Sequence, residues 1–184
     1  MIAVEPLGEM RRVLRDAVPE AEAVGARAEE LPFEDTSVDA ITVAAAFHWF
    51  DAPSALAEFA RVLRPGGGLG LVWNVRDPRA PIQRELDELL EPHAGPVSHV
   101  RNFEAASYFP ASSFGPLERA EFEHEQRFDA DGLVERVTSM SFVAILPDDE
   151  REELLARVRA LGRRYDAPFA FPYRTEVFVS RRAR

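Results

Sequence analysis

Glu5 closes the apolar run Ile2-Ala3-Val4 and stands just before Pro6. A carboxylate at the carboxyl end of a strand in a doubly wound sheet can accept hydrogen bonds from both ribose hydroxyls of an adenosine-containing cofactor. The other reading is an exposed acid stabilised by the dipole of the helix that follows. His48, within Phe47-His48-Trp49-Phe50, lies just past a second apolar run, at the strand edge where such sheets bind ligands. Its imidazole could orient a nucleophile or take its proton, or it could pack between its aromatic neighbours. Gly66-Gly67-Gly68 follows a helical pattern and precedes an apolar strand. That order is the reverse of an anion-cradling loop, so the triplet reads as a helix stop and turn. His93, His99 and His124 show no ligand spacing with acids, and no metal is expected. With no cysteine in the chain, disulfides and thiolate sites are excluded.

The elements that would position these residues alternate between strand and helix. A strand at 2–5 leads into a helical pattern from Leu7 to Val18, stopped by Pro19. A short strand near 21–26 and a turn-rich loop at 31–37 follow. Residues 38–46 are almost continuously apolar, as in a strand buried on both faces. A helix near 54–64 and a strand at 69–73 complete an α/β order of doubly wound type. In the second half, helices are expected at about 82–92, 131–140 and 148–164, with strands at 118–128 and 173–180. Residues 148–164 carry acids in the first turn and arginines in the last, matching the helix dipole.

Length allows one domain with a substantial core. The net charge of −10 disfavours phosphate backbones, so no nucleic-acid partner is expected. No run approaches the roughly 18 apolar residues of a membrane span, and a cytoplasmic location follows by default. All 22 basic residues are arginine, which excludes lysine Schiff-base chemistry. The closing Arg181-Arg182-Ala183-Arg184 reads as a solvated tail.

Leu31-Pro32-Phe33, Val38-Asp39, Phe47-His48-Trp49-Phe50, Ala60-Arg61-Val62-Leu63-Arg64-Pro65-Gly66-Gly67 and Leu71-Val72-Trp73-Asn74 occur in a telling order. Across residues 2–76 the chain resembles the small-molecule class I S-adenosylmethionine-dependent methyltransferases, the type 11-like group that includes ubiquinone-, menaquinone- and trans-aconitate-type enzymes. The resemblance implies a Rossmann-like, mostly parallel sheet with a C-terminal antiparallel strand, and S-adenosylmethionine as cofactor. Glu5 would hold the ribose, Ala28 would offer its backbone N–H to adenine, and Glu29 would lie near the exocyclic amine. Ala46, Phe47 and His48 would flank the sulfonium and its methyl group, with His48 as the candidate base. Trp49 would line the acceptor site, as a wall or by a cation–π contact. Arg27 stands where the family often has an acid, and a guanidinium cannot accept from the adenine amine.

The family's first strand and its Gly-x-Gly-x-Gly loop would precede Glu5 by about 20 residues, and residues 1–184 contain no such segment. The expectation is therefore a single domain, 1–184, N-terminally truncated through a misplaced start, a true truncation or completion by another chain. That first strand would sit between the strands at 2–5 and 38–46. Without it, backbone groups on both must pair elsewhere. Segments of about 93–116 and 131–170 are expected to cap the substrate site. They hold surplus aromatics, Phe103, Tyr108, Phe109, Phe142, Phe169 and Phe171, with Tyr108 as a candidate acceptor contact. Core packing is the plainer role for each. The expected partner is a small-molecule methyl acceptor, and a homodimer is left open. The competing functions are a nicotinamide-dependent oxidoreductase fragment, since Glu5 suits either nucleoside, and a non-catalytic remnant completed by another chain.

Overall fold

Residues 1–94, 107–109 and 112–183 are described by a computed structural model. They divide into two units. The first draws on Met1–Val72, Glu104–Arg119 and Val177–Arg184, the second on Trp73–Phe103 and Ala120–Glu176.

In the first unit, β1 (Ile2–Val4) leads through Glu5 and Pro6 into α1 (Gly8–Ala17), and β2 (Glu22–Val24) returns beside β1. The two strands are parallel, with Ile2 opposite Glu22 and Val4 opposite Val24. Each is only three residues long, and their pairing makes a separate two-stranded sheet. α1 is amphipathic in sequence, yet none of its residues is buried. β3 (Val38–Ala44) belongs to the other sheet, and only Val43 among its seven residues is buried. A 3₁₀ turn at Phe47–Trp49 joins β3 to α2 (Ala52–Val62). Asp51 caps α2 by accepting from the Ser54 amide at 3.3 Å, and Pro53 fits the first turn. α2 buries Ala52, Ala55, Leu56, Phe59, Ala60 and Val62, the i, i+3, i+4 spacing of a core-facing stripe.

β4 (Leu63–Arg76) follows directly and pairs parallel with β3, Val43 opposite Leu71. The helix stops at Val62, two residues short of the expected end at 64, and the glycine triplet lies inside β4 rather than in a helix-ending turn. The register jumps there, from Val38 opposite Leu63 to Ala40 opposite Gly68, so the intervening residues bulge. Gly66 has φ +80°, and a Cβ on Gly67 would lie 2.9 Å from the Arg64 carbonyl and 3.0 Å from that of Asp39. Glycine is demanded at both positions by the bulge. Arg181 and Arg182 of the expected solvated tail are tied to this bulge, Arg181 donating from its guanidinium to the Gly66 carbonyl at 3.3 Å. Arg182 exchanges backbone bonds with Gly66 and Gly67, at 3.2 and 2.9 Å, and its guanidinium donates to the Leu63 carbonyl.

β4 continues into the second unit, followed by α3 (Pro81–Ala94), β5 (Glu118–Phe128), α4 (Ala130–Thr138), α5 (Ser141–Ala144), α6 (Asp148–Gly162) and β6 (Phe169–Arg181). The order of the larger sheet is β3-β4-β6-β5. Gly66 bonds Arg182, Asn74 meets Thr175, and Asp77 bonds Pro172. β4 therefore ascends as β6 descends, and the last strand is antiparallel as expected. The second unit's core gathers Ile82, Leu86 and Leu90 of α3 with Leu133, Val137, Leu154, Val158, Phe169, Phe171 and Tyr173. Gln83 is fully buried in this unit and donates through Nε2 to the Pro172 carbonyl. β5 is exposed along nearly its whole length, and its His124 stacks on Tyr173 at 5.3 Å.

Candidate functional site

The residues singled out at the strand ends all fall in the first unit. Glu5 sits just past β1, where its amide donates to the Val24 carbonyl at 3.1 Å and so ties the ends of β1 and β2 together. One carboxylate oxygen, Oε1, accepts from the Leu7 amide at 2.8 Å at the start of α1. Arg11 reaches back from α1 to the carbonyls of Glu5 and Pro6, at 2.8 and 2.7 Å, holding the turn after the strand.

Past β2, residues 27–30 close a tight turn, with the Glu30 amide donating to the Arg27 carbonyl at 3.2 Å. Ala28 and Glu29 form its tip and are half-buried. Glu29 accepts from the Asp51 amide through Oε1 at 2.9 Å and from Arg27 through Oε2 at 3.4 Å. Burial works to raise its pKa, but these donors outweigh it and leave the carboxyl below its ordinary value. The bond to Asp51 brings the turn after β2 against the loop that carries His48.

That loop starts from a strained residue. Ala45, at the end of β3, has φ 48°, a region a side-chain-bearing residue rarely enters. Its amide donates to the Val72 carbonyl at 2.8 Å, so the strain is held by the sheet. Ala46 then opens the 3₁₀ turn, and Phe47 is fully buried, edge-on to Phe50 at 5.9 Å. His48 and Trp49 are adjacent rings 4.8 Å apart, and Trp49 remains 61% exposed. Burial lowers the His48 pKa from its ordinary 6.5, which favours the neutral imidazole, a proton acceptor, near neutral pH.

The loop 31–35 is fastened by two residues that were not among the sequence candidates. Glu58 accepts from the Leu31 amide at 2.7 Å, and Arg61 donates to the carbonyls of Leu31 and Phe33, at 3.0 and 2.8 Å. Arg61 also pairs with Glu58 and with Asp35, each at 2.7 Å. The Arg61 guanidinium, followed by burial working the other way, leaves the Glu58 carboxyl below its ordinary value. The only sequence signal for this clamp is a Glu–Arg pair at i, i+3 on α2, a common surface pattern. Nothing in the sequence marks Ala45, since glycine is the usual residue for its conformation.

Tyr108 lies in a 3₁₀ turn at 107–109 and is half-exposed. With Ser107, Ser112 and Ser113 it lines an open groove against Pro53, Leu56 and Ala57 of α2. Phe109 is buried and packs at 6.0 Å on Phe114. Of the other aromatics expected to form a cap, Phe169 and Phe171 are buried in the second unit's core and Phe142 packs against that core. They serve packing there. Phe103 and the stretches 95–106 and 110–111 of the expected cap lie outside the described residues. Among the described residues no group of acids and histidines could hold a metal, and no helix is long and apolar enough to cross a membrane.

The carboxylate of Glu5 keeps one oxygen beyond its bond to Leu7, and the Ala28 N–H donates to no described residue. Both groups thus fit a ribose and an adenine. The Glu29 side chain fits less well, because both oxygens are already engaged.

A family model for the methyltransferase domain matches residues 1–71. An uncharacterised methyltransferase of Mycobacterium tuberculosis is 40% identical over 161 residues, 88% of this chain and 63% of the relative. An uncharacterised methyltransferase-like protein of Schizosaccharomyces pombe is 33% identical over 163 residues, 89% of this chain and 64% of the relative. The chain thus spans less than two thirds of the length of these relatives. Among solved structures, YcgJ of Bacillus subtilis superposes with a TM-score of 0.59 at 20% identity, covering 100% of this chain and 82% of that one. Residues 1–71 are thus similar to the methyltransferase domain, and the chain shares the Rossmann-like α/β fold of solved methyltransferase-like structures.

Proposed function

We propose that this protein takes part in S-adenosylmethionine-dependent methyl transfer to a small-molecule acceptor. The observation that carries the reading is the Glu29–Asp51 bond, which joins the turn expected to meet adenine to the loop expected to meet the reacting methyl group. The fold is one that accommodates this cofactor. Geranyl diphosphate C-methyltransferase from Streptomyces coelicolor, in complex with S-adenosyl-L-homocysteine, superposes with a TM-score of 0.51 at 10% identity, covering 99% of this chain and 61% of that one.

The cofactor supplies an electrophilic methyl group on a sulfonium, attacked in line by the acceptor. The chain's own residues bind and orient. Glu5 accepts from the ribose hydroxyls, and the Ala28 N–H donates to the adenine ring. Glu29 acts chiefly through its bond to Asp51, holding the two loops together. Ala46 and Phe47 wall the reacting centre against water, and neutral His48 takes the acceptor's proton where the nucleophile carries one. Trp49 and Tyr108 contact the acceptor. Within residues 1–184 these contacts fall on the adenosine half of the cofactor and on the reacting centre.

Equilibrium dialysis against S-adenosylhomocysteine and against NAD, using a form of the protein extended to the length of its relatives, tests the reading. Binding of the first at micromolar concentration and not the second is the expected result. The reverse preference would make this a nicotinamide-dependent protein. Binding of neither would favour a non-catalytic role.

A further inference from the structure

We propose that Arg182 is a positioning residue for Tyr108: the clasp it forms on the β4 bulge sets the wall of the groove in which Tyr108 stands. The proposal deepens the reading above and rests on it for the assignment of that groove to the acceptor. Arg182 directly follows β6 and pairs on both sides at once. On one side it exchanges backbone bonds with Gly66 and Gly67. On the other it stands opposite Phe114 in an antiparallel bridge. There the Gly115 amide donates to the Arg181 carbonyl, and the Ala183 amide to the Ser113 carbonyl, each at 2.9 Å. Ser180 is buried, and its hydroxyl donates to the Gly115 carbonyl at 2.8 Å. Residues 180–183 thus form a strip between the bulge and residues 113–115.

Residues 113–115 carry this placement on to Tyr108. Phe114 is buried, and its ring packs on that of buried Phe109 at 6.0 Å. Its amide donates to the Ser112 hydroxyl at 3.3 Å, and that hydroxyl donates in turn to the Phe109 carbonyl at 2.7 Å. The Ser112 amide reaches the same carbonyl at 3.0 Å. Phe109 is therefore held at its ring and at its carbonyl, and Tyr108 precedes it in the same 3₁₀ turn. The groove wall follows Arg182 at two points, through Ser113 directly and through Phe109 to Tyr108. A binding side chain on a short turn is only as precise as the shell that supports it. The bulge makes that support rigid. Gly66 lies at φ +80°, and Gly67 has no room for a Cβ between the Arg64 and Asp39 carbonyls. The Arg182 guanidinium adds a bond to the Leu63 carbonyl, at the first residue of β4. Gly68 supplies the contrast, since a Cβ there would meet nothing within 4 Å.

The chain has three tyrosines, Tyr108 in the first unit and Tyr165 and Tyr173 in the second. Fluorine-labelled tyrosine therefore gives three resonances in residues 1–184, and Tyr108→Phe identifies one of them. Gly67→Ala, which forces the bulge to shift, should move or broaden the Tyr108 line and leave the other two in place. Gly68→Ala should move none. Arg182→Ala keeps the backbone bonds but loses the bond to Leu63, so it should reproduce the effect more weakly. Arg182→Lys should restore the parent line, because an ammonium can still donate a single bond to that carbonyl. Hydrogen exchange at Gly115 and Ala183 should quicken by about tenfold in Gly67→Ala, with the amides of α6 unchanged. A Tyr108 line unmoved in both Gly67→Ala and Arg182→Ala would overturn the proposal. So would equal movement of all three lines, which would mean general loosening. Should Gly67→Ala fail to fold, Arg182→Ala against Arg182→Lys decides alone. These measurements use neither cofactor nor acceptor, so they can fail while the dialysis result stands, and the reverse.

Discussion

The Glu29 carboxylate accepts the Asp51 amide at 2.9 Å, so a side chain in the turn after β2 holds the backbone at the N-cap of α2. Asp51 lies three residues past His48, and its own carboxylate caps the helix. The position of the His48 loop is therefore set from both sides. Glu29→Ala should leave the Asp51 amide without its acceptor and loosen residues 47–51. The expected outcome is faster hydrogen exchange there with little change in α6 or β6. Glu29→Gln keeps an acceptor oxygen and should preserve most of the protection.

Glu58→Ala tests the clamp on the 31–35 loop. The carboxylate is 13% exposed and accepts hydrogen bonds from the Leu31 amide and from Arg61. Losing charge-assisted bonds at such a site should lower stability by about 1.5–3 kcal/mol. Arg61→Lys should not substitute, because one ammonium cannot reach Leu31, Phe33, Glu58 and Asp35 in the fork that the guanidinium makes. Urea unfolding with the midpoint and slope both recorded would check this. A midpoint unchanged by Glu58→Ala would show that the clamp is decorative.

The clamp also shows how much of the site was legible beforehand. Leu31-Pro32-Phe33 is recognisable as a turn from its residue types, because proline and its neighbours restrict the backbone locally. What fastens the turn comes from Glu58 and Arg61, 27 to 30 residues away, and local patterns are silent about such pairings. The strand order of residues 1–76 was readable for the opposite reason, since short apolar runs and helical stripes are local signals. The glycine triplet lay between these cases. The end of a helix ahead of it was visible, but the bulge depends on Arg182, more than a hundred residues downstream. Ala45 was invisible, because nothing about an alanine announces a positive φ.

Acid should destabilise the protein in two stages. Burial lowers the folded-state pKa of His48 below 6.5, so the unfolded chain binds more protons as the pH falls through that value. Stability therefore declines from about pH 6.5 downward on account of His48. Glu29 and Glu58 are depressed from 4.5 in the folded state, so their contribution is complete above that value and is lost as the pH falls further. His48→Gln should flatten the urea midpoint between about pH 7 and 5 and leave the steeper loss below 4.5 intact. A profile identical to the parent between pH 7 and 5 would remove His48 from the account.

Glu5→Ala should weaken S-adenosylhomocysteine binding by about 1–3 kcal/mol in a form of the protein that binds it, the range for losing bonds to a charged acceptor. The same change also removes the acceptor for the Leu7 amide, so α1 would fray. Glu5→Gln separates the two effects, since it keeps an oxygen for Leu7 while giving up the charge. Full affinity in both variants would take Glu5 out of the cofactor site.

Residues 1–184 on their own should bind S-adenosylmethionine poorly. Glu5 and Ala28, proposed to contact the adenosine half, follow two three-residue strands whose sheet is separate from β3, Glu5 directly after β1 and Ala28 in the turn beyond β2. Ala46, Phe47 and His48 follow β3, in the other sheet, and the Glu29–Asp51 bond is one link between the two groups. A binding site divided in this way must be ordered when the ligand arrives, and that ordering subtracts from affinity. The glycine-rich run Gly66–Gly70 is taken up in β4, and a methionine half left without a glycine-rich loop would forgo several backbone bonds of about 0.5–1.5 kcal/mol each. A combined loss of about 4 kcal/mol would turn a micromolar site into a roughly millimolar one. Calorimetry on monomeric 1–184 is therefore expected to show no saturable heat at micromolar ligand. Micromolar affinity in that experiment would mean that the described residues complete the methionine site by themselves, and that the division between the two sheets costs the cofactor little.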